Sequence, residues 1–314
     1  MRSGHTLEGL VVDPLDGSFP GRVTVEGSTI AAVQRLARGP SEPLLFPGFI
    51  DLQVYSPAGL AGQGVTGYLL ATRVVAQSEE PLCLGLHLEG PFLNPEAAGA
   101  IPVEELRPVD LAALEDWLAG GLVRLVTVSP EIPGALAAIE LVAASGAVAA
   151  VGHTRANALT TRAALGAGAR FATHLWNAMA PVRARTTGPV PSLLLDERVV
   201  LGLIADGRHL NPTTEELTVR LAGPGRIALT SDLVPLPAEG PDGRLLGGDR
   251  CGAALVARMA RFGLPEAAAM ASLVPARLLG LDDRGRVAPG YRADLAVLGP
   301  DFRPLQTLVA GLSL

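Results

Sequence analysis

The stretch LGLHLEGPFLNP, Leu84–Pro95, sets one histidine and one glutamate in an apolar run and stops that run at Gly90-Pro91. A short apolar run bounded by Gly and Pro reads as a buried strand. A carboxylate is costly inside such a strand, so Glu89 marks the point where the strand leaves the core and enters a pocket.

Runs of the same kind recur near 48–54, 65–70, 82–89, 123–128, 148–153, 170–174, 199–205 and 226–232. Helical patterns separate most of them, at 108–119, 133–145, 156–166 and 212–221. The last opens NPTTEEL, with Asn211 placed to cap, Pro212 at the first helical position and acids in the first turn. Alternating strands and helices imply a parallel sheet with helical crossovers, and eight repeats suit a closed α/β structure, a (β/α)8 TIM-like barrel. Several of these strands close on a polar residue: Gln53, Glu89, His153, His174, Asp206 and Asp232. Groups at the carboxyl ends of barrel strands converge on one mouth, so these residues are expected to share a site.

The chain ends read differently. GLVVDP, GRVTVEG and STIAAV near the start, and ADLAVLGP with LQTLVAGLSL near the finish, are short strands between Gly turns. We expect both termini to build one small β-sandwich domain, residues 1–46 plus 285–314, around a barrel of 47–284. Helical patterns over 249–262 and 265–280 lie between barrel and terminal strands.

Composition narrows the chemistry. All 25 basic residues among the 314 are Arg, so the chain has no Lys. That excludes a Schiff-base lysine, a P-loop and a metal pair bridged by a modified lysine. A net charge of −6 offers no general attraction to nucleic acid, and an anionic ligand must be met by a local Arg. No apolar run is long enough to span a membrane. Two isolated cysteines, Cys83 and Cys251, make no disulfide framework, and no secretory signal opens the chain, so a cytoplasmic address is expected.

Glu89, His153 and His174 supply one carboxylate and two imidazoles, the ligand kit of a catalytic zinc that keeps a position for water. Asp232, at the end of the last strand, is the natural proton acceptor beside that water. His87, two residues before Glu89 on the same strand face, is expected behind the ligands rather than among them.

At these residues the sequence resembles the N-acetylglucosamine-6-phosphate deacetylases of the amidohydrolase superfamily. PGFIDLQ, GLHLEGPFLNP, VTVSPE, VGHT, THLWNAM, LIADGRHL, LTSD and PARLLGLDDRGRVAPGYRADLAVL lie in that family's order from about Leu45 to Leu298. The resemblance implies that Glu89, His153 and His174 bind one divalent metal ion, Zn, with Fe or Mn accepting the same ligands. It implies Asp232 as general base and then general acid, and His209, Asn177 and Ala178 as substrate contacts. Arg185, in APVRARTTG, falls where the family places a phosphate-binding Arg. The activity implied is hydrolysis of the acetamide of N-acetylglucosamine 6-phosphate, with an amino-sugar phosphate as the small-molecule partner.

The chain departs from the pattern in three places. Gln53 and Tyr55 stand where many amidohydrolases have His-x-His, which removes a second metal position. Ile101 replaces a substrate-contacting His. The connections 55–64 and 71–81, about ten residues each, are short for parallel crossovers, so the chain reads as a shortened member. A second subunit would cover the flank left open, and a homodimer is expected. The alternatives are an amidohydrolase with a different N-acyl substrate, or a decayed barrel kept as a binding protein.

Overall fold

The protein is described by a computed structural model covering residues 4–73, 80–239 and 245–314. Its contacts divide the chain into two compact units. One comprises Met1–Asp51, Pro57–Tyr68 and Arg250–Leu314, and the other Leu52–Ser56 and Leu69–Asp249.

The chain starts with β1 (His5–Asp13), β2 (Gly17–Glu26), β3 (Thr29–Arg35) and β4 (Leu44–Pro47). It then enters eight strands: β5 (Phe49–Val54), β6 (Val65–Thr72), β7 (Cys83–Glu89), β8 (Val123–Val128), β9 (Val148–Val151), β10 (Phe171–Ala172), β11 (Val200–Leu203) and β12 (Ile227–Leu229). They are ordered in space as in sequence, and the pairs from β7 to β12 are parallel. Val54 forms a parallel bridge with Leu233, just past β12, and the Tyr55 N–H donates to the Leu233 carbonyl at 2.8 Å. First strand thus meets last, and the sheet is the expected (β/α)8-type barrel.

Helices α1 (Leu111–Ala119), α2 (Ala135–Ala144), α3 (Ala158–Gly166), α4 (Val190–Leu195) and α5 (Pro212–Ala222) cover the crossovers from β7 onward. Asp110, Asn157 and Asn211 cap α1, α3 and α5 by accepting backbone N–H bonds, and Pro212 opens α5 as its position predicts. Side-chain alternation explains both faces of β7. Leu86 and Leu88 pack outward with Leu114, Val142 and other helix residues, whereas His87 and Glu89 point into the barrel.

A two-stranded hairpin, β13 (Ala238–Glu239) with β14 (Leu245–Leu246), follows β12. Next come α6 (Ala253–Met259), α7 (Leu264–Ala268) and α8 (Val274–Leu278), with a wide turn, Ala269–Leu273, between the last two. Strands β15 (Leu295–Leu298), β16 (Pro304–Val309) and β17 (Leu312–Ser313) complete a sheet ordered β17-β16-β15-β4-β1-β2-β3. The two chain ends thus share one sheet, as expected, hydrogen-bonded as a single seven-stranded sheet rather than as two. Val11, Val23, Ile30, Leu45, Leu295 and Leu308 form its apolar core. Buried Asp13 ties the termini further, accepting from the Arg286 guanidinium at 2.8 Å and from the Val287 N–H at 2.9 Å.

The structure differs from the sequence reading in three respects. Four strands stop early: β11 ends at Leu203, and β9 at Val151, β10 at Ala172 and β12 at Leu229, the last three short of His153, His174 and Asp232. The backbone there is left-handed, with φ of +47°, +30° and +51°, and cannot continue a ladder. Helix α4, six residues entered through Pro189 and Pro191, was not anticipated because it is too short to show a period. The helices of 253–278 fall in the same compact unit as the terminal sheet, whereas the sequence reading carried the barrel to 284. In agreement with that reading, the short 55–64 connection holds a 3-10 turn, Ala61–Gln63, and no α-helix. Of the 71–81 connection, residues 74–79 lie outside the described residues.

Candidate metal centre

Glu89 at the end of β7, His153 after β9 and His174 after β10 meet as the alternation of strand and helix predicts. All three are at least 96% buried. Glu89 Oε1 lies 3.0 Å from His153 Nε2 and 2.9 Å from His174 Nε2, and the two Nε2 atoms are 3.0 Å apart. His153 Nδ1 faces the Ala97 carbonyl at 2.9 Å, so Nδ1 carries the proton and Nε2 turns a lone pair inward. Three electron-rich atoms this close repel one another unless a proton or cation lies among them. One carboxylate oxygen and two imidazole nitrogens are donors that a divalent cation takes at about 2.0–2.2 Å. The residues therefore fit a metal ion. Burial opposes charge on Glu89, but the two adjacent imidazoles outweigh it and hold the carboxyl well below its usual range. Burial keeps His174 below the usual imidazole value.

Gln53 and Asp232 join this corner. Gln53 Nε2 donates to Glu89 Oε1 at 2.8 Å and to Asp232 Oδ1 at 2.9 Å. Their i, i+2 spacing puts Gln53, in β5, and Tyr55, just after it, on one face of the chain, and the Tyr55 hydroxyl donates to the other Glu89 oxygen, Oε2. Burial first, then the Glu89 and Asp232 carboxylates, push the Tyr55 phenol well above its usual pKa, so it remains a donor. The Arg73 guanidinium sits 5.9 Å from the Tyr55 ring centroid and is held by Glu105.

His87 supports the floor. Its Nε2 lies 2.7 Å from Thr127 Oγ1 and its Nδ1 3.0 Å from the Leu52 carbonyl, while Thr127 Oγ1 is 2.7 Å from Thr173 Oγ1. The carbonyl can only accept, so His87 donates from Nδ1 and accepts at Nε2. Burial lowers its pKa to about 4 and keeps it neutral. The VTVSPE motif braces the rim: Ser129 Oγ donates to the His153 carbonyl at 2.5 Å, and Glu131 accepts from the Arg155 N–H, Thr154 Oγ1 and Asn94 Nδ2.

A cavity of about 620 Å³ opens above this corner, lined by the two histidines, Glu89, Asp232, Tyr55, His209, Asn177 and Ala178 among others. Asp206 orients His209: Oδ2 is 2.8 Å from His209 Nδ1, and Oδ1 accepts the Arg208 and His209 N–H bonds. Asn177 Nδ2 donates to the His174 carbonyl at 3.3 Å, and the Ala178 carbonyl accepts from Thr154 N–H at 2.9 Å. Ile101 is 7% exposed and forms an apolar wall with Ala100, Met179 and Val234.

The sequence reading and the structure part over Arg185. It is exposed and is not among the residues lining the cavity. Arg73 and Arg155 line the cavity instead. Sequence reasoning named neither of them for a role, and it treated Tyr55 only as a missing ligand. Arg73 directly follows β6 and Arg155 lies two residues past His153, so strand-end position was the signal that would have found both.

Residues 59–313 match the amidohydrolase family. The chain is 28% identical to an N-acetylglucosamine-6-phosphate deacetylase of Bacillus subtilis, over 87% of this chain and 85% of that one. It is 30% identical to an N-acetylgalactosamine-6-phosphate deacetylase of Escherichia coli O157:H7, over 92% and 93% of the two chains. Among solved structures it is similar to a mutant N-acetyl-D-glucosamine-6-phosphate deacetylase from Mycobacterium smegmatis in complex with N-acetyl-D-glucosamine-6-phosphate. There the TM-score is 0.88 at 28% identity, covering 99% of each chain.

Proposed function

The chain belongs to the amidohydrolase family, and from that footing we propose that it hydrolyses the acetamide of N-acetylglucosamine 6-phosphate to glucosamine 6-phosphate and acetate. The observation that carries the reading is the junction of Glu89, His153 and His174 with Asp232, joined through the single amide of Gln53 at the floor of an open cavity.

The family is metal-dependent, and Glu89, His153 and His174 would hold one divalent ion, which we propose to be Zn, with Fe and Mn accepting the same donors. When bound, the ion polarises the amide carbonyl and acidifies water. Asp232 takes the proton of the attacking water and returns it to the departing amine nitrogen. Gln53 fixes Asp232 Oδ1 during that exchange. His209, its Nδ1 engaged by Asp206, presents Nε2 to the substrate, and Asn177 and Ala178 line the sugar side. Among the described residues Arg155 and Arg73 are the cations lining the cavity that could meet a phosphate, and we keep Arg185 as a candidate from outside it.

The test is a purified-protein assay for acetate release with and without Zn. Asp232→Asn should keep the ion and lose about 10²–10⁴-fold in kcat. Glu89→Gln should lose both ion and turnover. Ion binding unchanged in Glu89→Gln would remove the metal centre from the reading. A second reading rests on the Ile101 wall: a different N-acyl amino sugar, which a panel of phosphorylated and unphosphorylated N-acyl hexosamines would single out by kcat/KM. A decayed barrel is disfavoured by the convergence of all four reactive groups. We carry forward a homodimer, read by sedimentation equilibrium, and a cytoplasmic setting, which the two free cysteines fit. Among the described residues no helix is long and apolar enough to cross a membrane.

A further inference from the structure

Glu89 has two oxygens, and the structure gives them separate tasks. Oε1 faces His153 Nε2, His174 Nε2 and the Gln53 amide. Oε2 accepts the Tyr55 hydroxyl. A carboxylate that served two cations would turn its second oxygen to the second one; here the phenol takes that lone pair, and its ring lies beside it at the cavity wall. The phenol is itself restrained at both ends. Its backbone N–H is bonded to the Leu233 carbonyl where the barrel closes, and Arg73, anchored on Glu105, stands over its ring.

We propose that Tyr55 is a positioning residue that confines Glu89 to ligation through Oε1 and closes the neighbouring space to a second cation, so that the barrel takes one ion. The inference rests on the metal-centre reading above and assigns Tyr55 a role apart from that of an absent ligand. Freed from the phenol, Oε2 can swing toward the ion or toward a second one, and Glu89 loses the orientation that its ion-facing oxygen depends on. Removing such an orienting hydrogen bond costs metal affinity by about 10–100-fold.

The experiment compares the full-length unmodified protein with Tyr55→Phe, which deletes the hydroxyl and keeps the ring, and with the double variant Q53H/Y55H. Zinc affinity is measured by chelator competition and zinc content at excess ion by elemental analysis. Co(II) replaces zinc for visible spectra, and metal-free melting temperatures check folding. We expect one equivalent in the unmodified protein and at least tenfold weaker zinc binding in Tyr55→Phe. The Co(II) band of Tyr55→Phe should change shape and intensity as Oε2 joins, at an unaltered metal-free melting temperature. Q53H/Y55H, with imidazoles where amide and phenol stood, should take a second equivalent. Zinc affinity and Co(II) spectrum unchanged in Tyr55→Phe would overturn the proposal, as would two equivalents in the unmodified protein. Should Tyr55→Phe not fold, the zinc content of the unmodified protein and of Q53H/Y55H decides alone. Loss of zinc in Glu89→Gln together with an unaffected Tyr55→Phe would sink this inference and leave the metal-centre reading standing.

Discussion

Glu89 and Asp232 take hydrogen bonds from the same atom: Gln53 Nε2 lies 2.8 Å from Glu89 Oε1 and 2.9 Å from Asp232 Oδ1. The carboxylate we propose to bind the ion and the one we propose to transfer the proton are thereby held at a set separation. Gln53→Ala should uncouple them, keeping bound metal while lowering kcat by about tenfold. Gln53→Glu should be worse, because it places a third carboxylate between two others. Metal content and steady-state kinetics on the two variants check both expectations. An activity unchanged in Gln53→Ala would show that the shared donor does not position the base.

Metal binding should stabilise the fold as well as equip it. With free ion near 100 times its dissociation constant, the stabilisation is about 3 kcal/mol. Chelator-treated protein should melt below the zinc-loaded form and recover on adding zinc. In Glu89→Gln the two melting curves should coincide.

The cavity's cations can be told apart kinetically. Arg155→Ala should raise KM for the phosphorylated amino sugar by about tenfold and leave the unphosphorylated one unaffected, because Arg155 lines the cavity and is only loosely paired with Glu96 at 3.3 Å. Arg185→Ala, exposed and away from the cavity, should have the smaller effect. The reverse order would place the phosphate against a cation outside this cavity.

Asp206 supplies a pH signature. Burial works against its charge, but the His209 ring and the His209 and Arg208 amides prevail and hold its pKa at about 2. A carboxyl depressed on folding stabilises fully above its unfolded value, and that contribution is lost as pH falls from about 4 to about 2. The contribution is about 2 kcal/mol. Urea denaturation at pH 5 and pH 3 should show a shallower acid loss in Asp206→Asn than in the unmodified protein, together with lower stability at pH 5.

In the terminal sheet, the β16–β17 hairpin places Ala310 at φ +50° and Gly311 at φ +79°, between the paired Val309 and Leu312. A two-residue turn with positive φ at both positions favours Asn-Gly. Ala310→Asn should raise stability by about 1 kcal/mol in denaturant titration without changing turnover.

The eight strands and the Asn211 cap were legible because each rests on local chemistry. Apolar runs, Gly and Pro breakers and capping side chains act within a few residues, as does the alternation that turns His87 and Glu89 inward. The meeting of Glu89, His153 and His174 was legible for the same reason: a carboxylate or imidazole at the end of an apolar run has to leave the core. Tyr55, Arg73 and Arg155 were missed because each acquires its role from partners distant in the chain, Glu89 for the first, Glu105 for the second and the cavity for the third.

By itself, then, the sequence determined the barrel, the convergence of Glu89, His153 and His174 at its mouth, and a chemistry without lysine. Only the tertiary structure decided that His153, His174 and Asp232 leave their strands in left-handed conformation and that Arg185 faces outward. It alone decided that the Tyr55 phenol bonds the far oxygen of Glu89. Backbone sign and side-chain partnership depend on what closure of the barrel brings within about 3 Å, and no short-range pattern in the chain encodes that.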